Sequence, residues 1–278
     1  MPGISVVVLM IACLAMALAL AMAGAWLLAW RTGNSGWVDA IWSFAVGLSS
    51  IAAAVWPLQC HDVSGLRQGS VAFLIGFWSM RLGGHIARRS ARGGDDPRYA
   101  ELKRQWGRRS GFRLFWFLQV QAVVALALAV SVCVAAHAPG PFGQPEDIIG
   151  LAILALAIAG EGIADRQLRA FRRSSQGGVC DIGLWGYTRH PNYFFEWLVW
   201  LAVAVVAIRP TGAYSAGWIS LAAPALMYLL LVHASGVPPL EAHMLRTRGA
   251  AFRDYQARVS AFWPRPALRP QDVSGRST

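Results

Sequence analysis

The run from Ile4 to Trp30, ISVVVLMIACLAMALALAMAGAWLLAW, contains no charged side chain. At 1.5 Å of rise per residue, a helix of this length crosses the hydrocarbon core of a bilayer. It lacks the cationic start of a secretory signal and is too long for one, so a retained spanning helix is expected. Working outward, apolar runs of similar length cover residues 37–57, 70–89, 113–136, 147–170, 192–209 and 215–235. The residues between them form short loops and a basic loop at 90–112, and residues 236–278 are too polar to span. Apolar residues make up 56% of the chain and charged residues only 14%, against about a quarter in soluble domains. The expectation is an all-α, polytopic membrane protein: one integral-membrane domain of seven transmembrane helices, with residues 236–278 as a C-terminal segment. Cys13, Cys60, Cys133 and Cys180 are scattered, without metal or disulfide spacing, and read as packing residues.

The net charge of +11 raises the question of a nucleic-acid partner, which its distribution answers. With seven spans threaded, every Lys and Arg except Arg67, Arg81 and Arg209 falls in the loops and helix ends of one side. That asymmetry follows the positive-inside rule and predicts an outward N-terminus and a cytoplasmic C-terminus. The lipid bilayer is then the partner of the basic surface, and no nucleic acid is implied.

Ionisable residues inside apolar spans are expensive and mark function by default. Asp39 opens the second span, Arg81 and His85 close the third, Glu161, Asp165 and Arg169 close the fifth, and Glu196 opens the sixth. All fall in the half facing the basic loops, which predicts a polar cavity in the bundle open to the cytoplasm. Glu161, Asp165, Arg169 and Arg172 recur at spacings of four, four and three and so share a helix face. A solvated helix end explains Arg172 and Arg173 but not Glu161, which follows a charge-free run from Ile148.

The stretch Gly183-Leu184-Trp185-Gly186-Tyr187-Thr188-Arg189-His190-Pro191-Asn192-Tyr193-Phe194-Phe195-Glu196-Trp197 leads into the sixth span. Pro191 suits a first helical position, which puts Asn192 and Glu196 one turn apart with Tyr193 beside them. Free amides at that helix start, with Arg189 and His190, offer a seat for phosphate or another anion. An interfacial aromatic belt accounts for Trp185, Tyr187 and Trp197 but not for Asn192 and Glu196. The arginines of residues 88–113 hold topology and touch anionic lipid, with one or two available to clamp a phosphate. Residues 241–264 read as an amphipathic element, either a lid under the bundle or a membrane-surface helix. Trp37, Trp42, Trp78 and Trp116 are packing residues by default and candidates to line a flat, apolar substrate pocket. No P-loop, dinucleotide fingerprint after a strand, zinc pair or nucleophile elbow is present, and no metal site is expected.

The segment from Gly183-Leu184-Trp185 through Arg189-His190-Pro191-Asn192-Tyr193-Phe194-Phe195-Glu196 resembles the steroid 5α-reductase (3-oxo-5α-steroid 4-dehydrogenase) family, in a bacterial member. Asp165 and Arg169 upstream and Asp254-Tyr255 downstream belong to the same resemblance, which is strongest from Gly160 to Pro264. Sterol reductases and isoprenylcysteine carboxyl methyltransferases carry similar signatures. The resemblance implies a seven-helix enzyme that uses NADPH to reduce the carbon–carbon double bond of an enone, most simply a 3-oxo-Δ4-steroid arriving from the membrane. Under it, Glu161, Asp165, Arg169, Arg172, Asn192, Tyr193 and Glu196 match cofactor-binding positions, and Arg81, His243, Arg246 and Tyr255 match more weakly.

The chemistry also asks for a donor to the ketone oxygen as the enolate forms, best as a neutral acid in a dry site. Asp39 is the only acid on the second span and is the first candidate; the competing reading is a helix cap after Asn34-Ser35-Gly36. His85, Gln119 and Gln121 are the substitutes. The family's mammalian pattern, a Gln-Glu pair on the second span and a Tyr on the third, is missing here. The alternative function is an S-adenosylmethionine-dependent methyltransferase of the isoprenylcysteine type, since Arg-His-Pro-x-Tyr recurs there. Asn192, Glu196 and Asp165 favour the reductase. The expected protein is a monomer of the bacterial inner membrane with its active site open to the cytoplasm.

Overall fold

The computed structural model describes residues 4–58, 63–174, 178–209, 212 and 214–268. Cys60 therefore lies outside the described residues. Within them the chain is all-α, and pairing of extended backbone is confined to one isolated bridge, Val63 with Pro139. The helices are α1 (Ile4–Thr32), α2 (Gly36–Ala54), α3 (Gly65–Ala91), α4 (Pro97–Trp106), α5 (Ser110–Ala136), α6 (Pro145–Ser174), α7 (Pro191–Ala207), α8 (Ala222–Tyr228) and α9 (Val237–Arg258). Short 3₁₀ turns cover Gly107–Arg109, Gly183–Gly186 and Ser215–Leu221, and a π-helical turn over Leu229–Ala234 joins α8 to α9.

Five helical stretches are long and apolar enough to cross a membrane: α1, α2, Pro97–Ala136, α6 and Ser215–Arg258. They make this an integral membrane protein. The expectation of seven spans is finer than what length and composition give, which is these five. α7 is apolar but only 17 residues long, and α3 is diluted by Arg67, Arg81, Arg88 and Arg89.

α5 runs through the middle, packed against α1, α2 and α7. Its Leu118, Ala125, Leu128 and Ala129 are fully buried, whereas Val120 and Val123 face outward, as do Phe73, Phe77 and Leu156 on neighbouring helices. The α6–α7 pair approaches closely at Gly150, where an added Cβ would lie 2.4 Å from the Val206 side chain. α2 and α3 meet in the same way at Gly47, against Ser79.

Polar structure closes both ends of the bundle. At one end α4, expected as loop, forms because Asp96 caps it: its Oδ1 accepts the Arg98 N–H at 2.9 Å, with Pro97 in the first turn. α4 packs on α9 and is tied to it by the Glu101–Arg246 ion pair. At the other end Arg67 and Arg209, the two cations that the threading leaves on the sparsely charged side, are buried. Arg67 is 0% exposed and donates to both oxygens of Asp147, at 2.7 and 2.8 Å, and to the carbonyls of Ala138, Gly140 and Pro141. Arg209 reaches Asp147 at 3.2 Å and Glu146 at 3.4 Å. The Arg67 guanidinium tolerates burial because its nitrogens all donate to carboxylate or carbonyl oxygens, whereas Arg209 leaves its Nε without a partner among the described residues.

Candidate active site

Two neighbouring polar clusters occupy the end of the bundle nearer α4 and α9. The first lies where α3, α6 and α7 meet. Arg81 of α3 forms ion pairs with Glu161 and, at 3.3 Å, with Asp165 of α6. Glu196 of α7 lies within electrostatic reach of Arg81 and Asp165. Both its oxygens are taken: Oε2 accepts from Trp78 Nε1 at 2.8 Å and Oε1 from Trp200 Nε1 at 3.2 Å. One helical turn from Arg81, His85 Nδ1 accepts from Arg169 Nη1 at 3.0 Å. Arg172 lies farther along α6, exposed, with Arg89 and Arg248 as like-charged neighbours. Three buried acids thus gather around one half-buried guanidinium, which pairs directly with two of them, and arginines accumulate farther along α6.

The second cluster joins α2, α4 and α5. Asp39 is not the helix cap. The Gly36 N–H is instead taken by Asn34 Oδ1 at 2.9 Å, and the Asp39 carboxylate receives the Arg98 guanidinium and, at 2.7 Å, the Tyr99 hydroxyl. Both Asp39 oxygens are thus engaged within the protein, one by Arg98 and one by Tyr99. Gln121 Nε2 reaches the Tyr99 oxygen at 3.4 Å, and Trp42 Nε1 donates to the Gln121 carbonyl at 3.3 Å. Asp96 braces Arg98 at 3.0 Å and Arg89 at 2.6 Å. Burial would raise the Asp96 carboxyl, but Arg98 and then Arg89 overcome this and bring it to about 2. Tyr193 lies within reach of Arg98, Asp96 and Asp39 and so stands between the two clusters. Asn192 is half-buried in the first turn of α7.

Other expected site residues are placed elsewhere. Arg189 and His190, expected beside an anion seat, are bonded to Glu241 of α9. Arg189 Nε and Nη2 donate to the two oxygens of Glu241 at 2.8 and 3.2 Å, and His190 Nε2 lies 2.9 Å from Glu241 Oε1. Burial pushes the His190 imidazole below its ordinary value despite that carboxylate, leaving it a neutral donor to Glu241. Tyr255 donates to the Trp185 carbonyl at 2.6 Å. Together they clamp the loop before α7 onto α9. Gly183 enters that loop at φ 58°, and a Cβ there would also meet the Gln167 side chain at 2.5 Å. Arg246 pairs with Glu101, and His243 is half-buried on α9.

Of the four tryptophans, Trp78 is fully buried against Glu196 and lines no open pocket, and Trp116 is 55% exposed among Phe112 and Phe115. Trp37 is half-buried on α2. Tyr99, Arg98, Asp96 and Trp200 were missed from sequence. The Asp96-Pro97 helix start was the signal that places Tyr99, and the four-residue spacing from Glu196 was the one for Trp200.

Arg81 Nε and Gln121 Oε1, in the two clusters, are among the buried polar atoms with no hydrogen-bond partner among the described residues, as are Gln119 Nε2 on α5 and, at the far end of the bundle, Arg209 Nε. Unmet groups of this kind in a mixed acidic and basic site suit a ligand with amide, hydroxyl and phosphate groups. Among the described residues no group of three His, Cys, Asp or Glu is placed to hold a metal ion.

A family model described as a protein of unknown function (DUF1295) matches residues 25–259, and the chain belongs to that family. The family is related to the steroid 5α-reductases. No curated protein and no solved structure gives a match.

Proposed function

We propose that the chain is an NADPH-dependent reductase acting on the carbon–carbon double bond of an enone lipid, with a 3-oxo-Δ4-steroid as the type substrate and the 5α-dihydrosteroid as product. The observation that carries this reading is Tyr99, a buried phenol bonded to Asp39 and Gln121 on the same side of the bundle as the Arg81 cluster. A tyrosine and a carboxylate at a ketone-polarising position were what the family pattern asked for. Here the tyrosine comes from α4, the acid from α2 and the amide from α5.

Turned from Asp39 toward a ketone oxygen, the Tyr99 hydroxyl donates to it as negative charge develops. Arg98 beside it offsets the charge left on the phenol oxygen, and Gln121 supplies a second polar contact. Asp39 is the orienting acceptor. Arg81, Glu161, Asp165, Asn192, Tyr193 and Glu196 suit the amide and hydroxyl groups of NADPH, and Arg169 and Arg172 suit its phosphates. When bound, NADPH supplies the hydride for the β-carbon.

The membrane arrangement proposed is seven spans, with α3 and α7 included. Support comes from Arg67 and Arg81, whose charges are neutralised inside the protein, so composition understates how apolar α3 is to lipid. The charge asymmetry favours an outward N-terminus, a cytoplasmic C-terminus and a site open to the cytoplasm, in a monomer of the bacterial inner membrane.

The test is turnover of a 3-oxo-Δ4-steroid by purified protein with NADPH. Tyr99→Phe is expected to lower turnover about 100-fold, the lower range for loss of a general acid, with NADPH affinity retained. Full turnover by Tyr99→Phe, or binding of S-adenosylmethionine in place of NADPH, overturns the reading.

A further inference from the structure

An aromatic cleft of about 490 Å³ lies on the far side of α7 from the candidate site. Pro191, Phe194, Phe195 and Trp197 of α7 face it, whereas Asn192, Glu196 and Trp200 project to the opposite side of the same helix. Its outer wall is Trp263 and Pro264, on a strap of residues 259–268 that follows α9. The strap is stitched to the loop before α7. Thr188 Oγ1 donates to the carbonyls of Ala261 and Phe262 at 3.1 and 3.0 Å, Arg189 N–H to Ser260 at 2.9 Å and Arg265 N–H to Tyr187 at 3.0 Å. Tyr187 and Trp263 stay 53% and 51% exposed although their neighbours Phe262 and Thr188 are buried. The segment is held rigidly, so these rings are presented outward by design of the fold and not by looseness.

We propose that this cleft is a binding site for an anionic phospholipid. Its acyl chain lies against Phe194, Trp197 and Trp263, and its phosphate meets Arg265, which is exposed and pinned at the rim by its own N–H. Three observations lead there. The cleft falls within the volume range of ligand sites and no charged residue lines it. It opens at the start of α7, the depth where aromatic rings sit at the headgroup level. The cation beside it complements an anionic headgroup, and Asp181, the acid of the adjoining loop, is already paired with Arg258 at 3.2 Å. The α7 backbone separates the cleft from Glu196, so the site is independent of the proposed reductase chemistry.

The experiment is native mass spectrometry of the full chain in detergent, supplied with equal amounts of dioleoyl phosphatidylglycerol and dioleoyl phosphatidylcholine. Wild type is expected to retain phosphatidylglycerol preferentially. Arg265→Ala is expected to cut that preference about fivefold, the worth of roughly 1 kcal/mol per cation at an anionic surface. Trp263→Ala is expected to lower retention of both lipids about tenfold. Equal retention of the two lipids by wild type, or unchanged retention by both variants, overturns the proposal. Arg265 is solvent-facing, so its variant remains informative if Trp263→Ala unfolds. NADPH titration of the same samples reports on the reductase reading separately.

Discussion

Glu196 is a carboxylate whose solvent has been replaced by two indoles. Trp78 and Trp200 are both fully buried, 5.2 Å apart edge to face, and each spends its single donor on a different Glu196 oxygen. Trp78→Phe keeps the ring but removes the donor, leaving Oε2 buried without a partner. The expected cost is about 1–3 kcal/mol in stability, with weakened NADPH binding, because Glu196 loses its fixed orientation. A thermal melt and a cofactor titration check it, and an unchanged midpoint with unchanged affinity refutes the positioning role. Glu196 and Asn192 were legible in the sequence because a polar residue inside an apolar run stands out. Trp78 was not, since its partner is 118 residues away and no local pattern joins them. Tyr99 was hidden differently, by the charged residues around it, which made a capped helix look like a topogenic loop.

Among the elements, apolar periodicity located the long helices closely: residues 147–170 became Pro145–Ser174 and 192–209 became Pro191–Ala207. It could not supply α4, which is held by a side-chain cap and ion pairs that hydropathy does not see, and it gave α9 only as an amphipathic element over residues 241–264. It also said nothing of how closely α6 and α7 pack. Two of the three glycines of α6, Gly150 and Gly162, separate these effects. At Gly150 an added methyl meets the Val206 side chain and, at 3.0 Å, the Ala202 carbonyl. Backbone cannot move aside cheaply, so Gly150→Ala is expected to destabilise by about 1–3 kcal/mol. At Gly162 an added methyl meets nothing within 4 Å. Gly162→Ala is therefore expected to stabilise by about 0.5–1 kcal/mol through helix propensity. Thermal unfolding of the two variants in one detergent decides the matter. If both shift the same way, α6 does not pack on α7 as described.

Across the whole molecule, α3 and α6 carry opposite electrostatic tasks at their two ends. Asp147 and Glu161 are 14 residues apart on α6, about 21 Å at helical rise. Near Glu161 the charges are unevenly matched, with three acids around Arg81. Near Asp147 they balance: Arg67 and Arg209 face Asp147 and Glu146. An unbalanced cluster suits a ligand, and a balanced one suits a lock. The sequence singled out the Glu161 end by its convergent charges but left the lock unseen, because the pairing of Arg67 and Arg209 with Asp147 is a property of the fold. Asp147→Asn tests the division. Removing the charge leaves two buried guanidinium groups with Glu146 alone, and the expected loss is about 3–5 kcal/mol of stability, as for breaking any buried pair by one partner. At a temperature where the variant is still folded, NADPH affinity is expected to match wild type, because the change lies at the far end of the bundle. A lowered melting midpoint with unaltered cofactor titration supports a lock separate from the site. Loss of cofactor binding in the folded variant would mean that the two ends are coupled through α6.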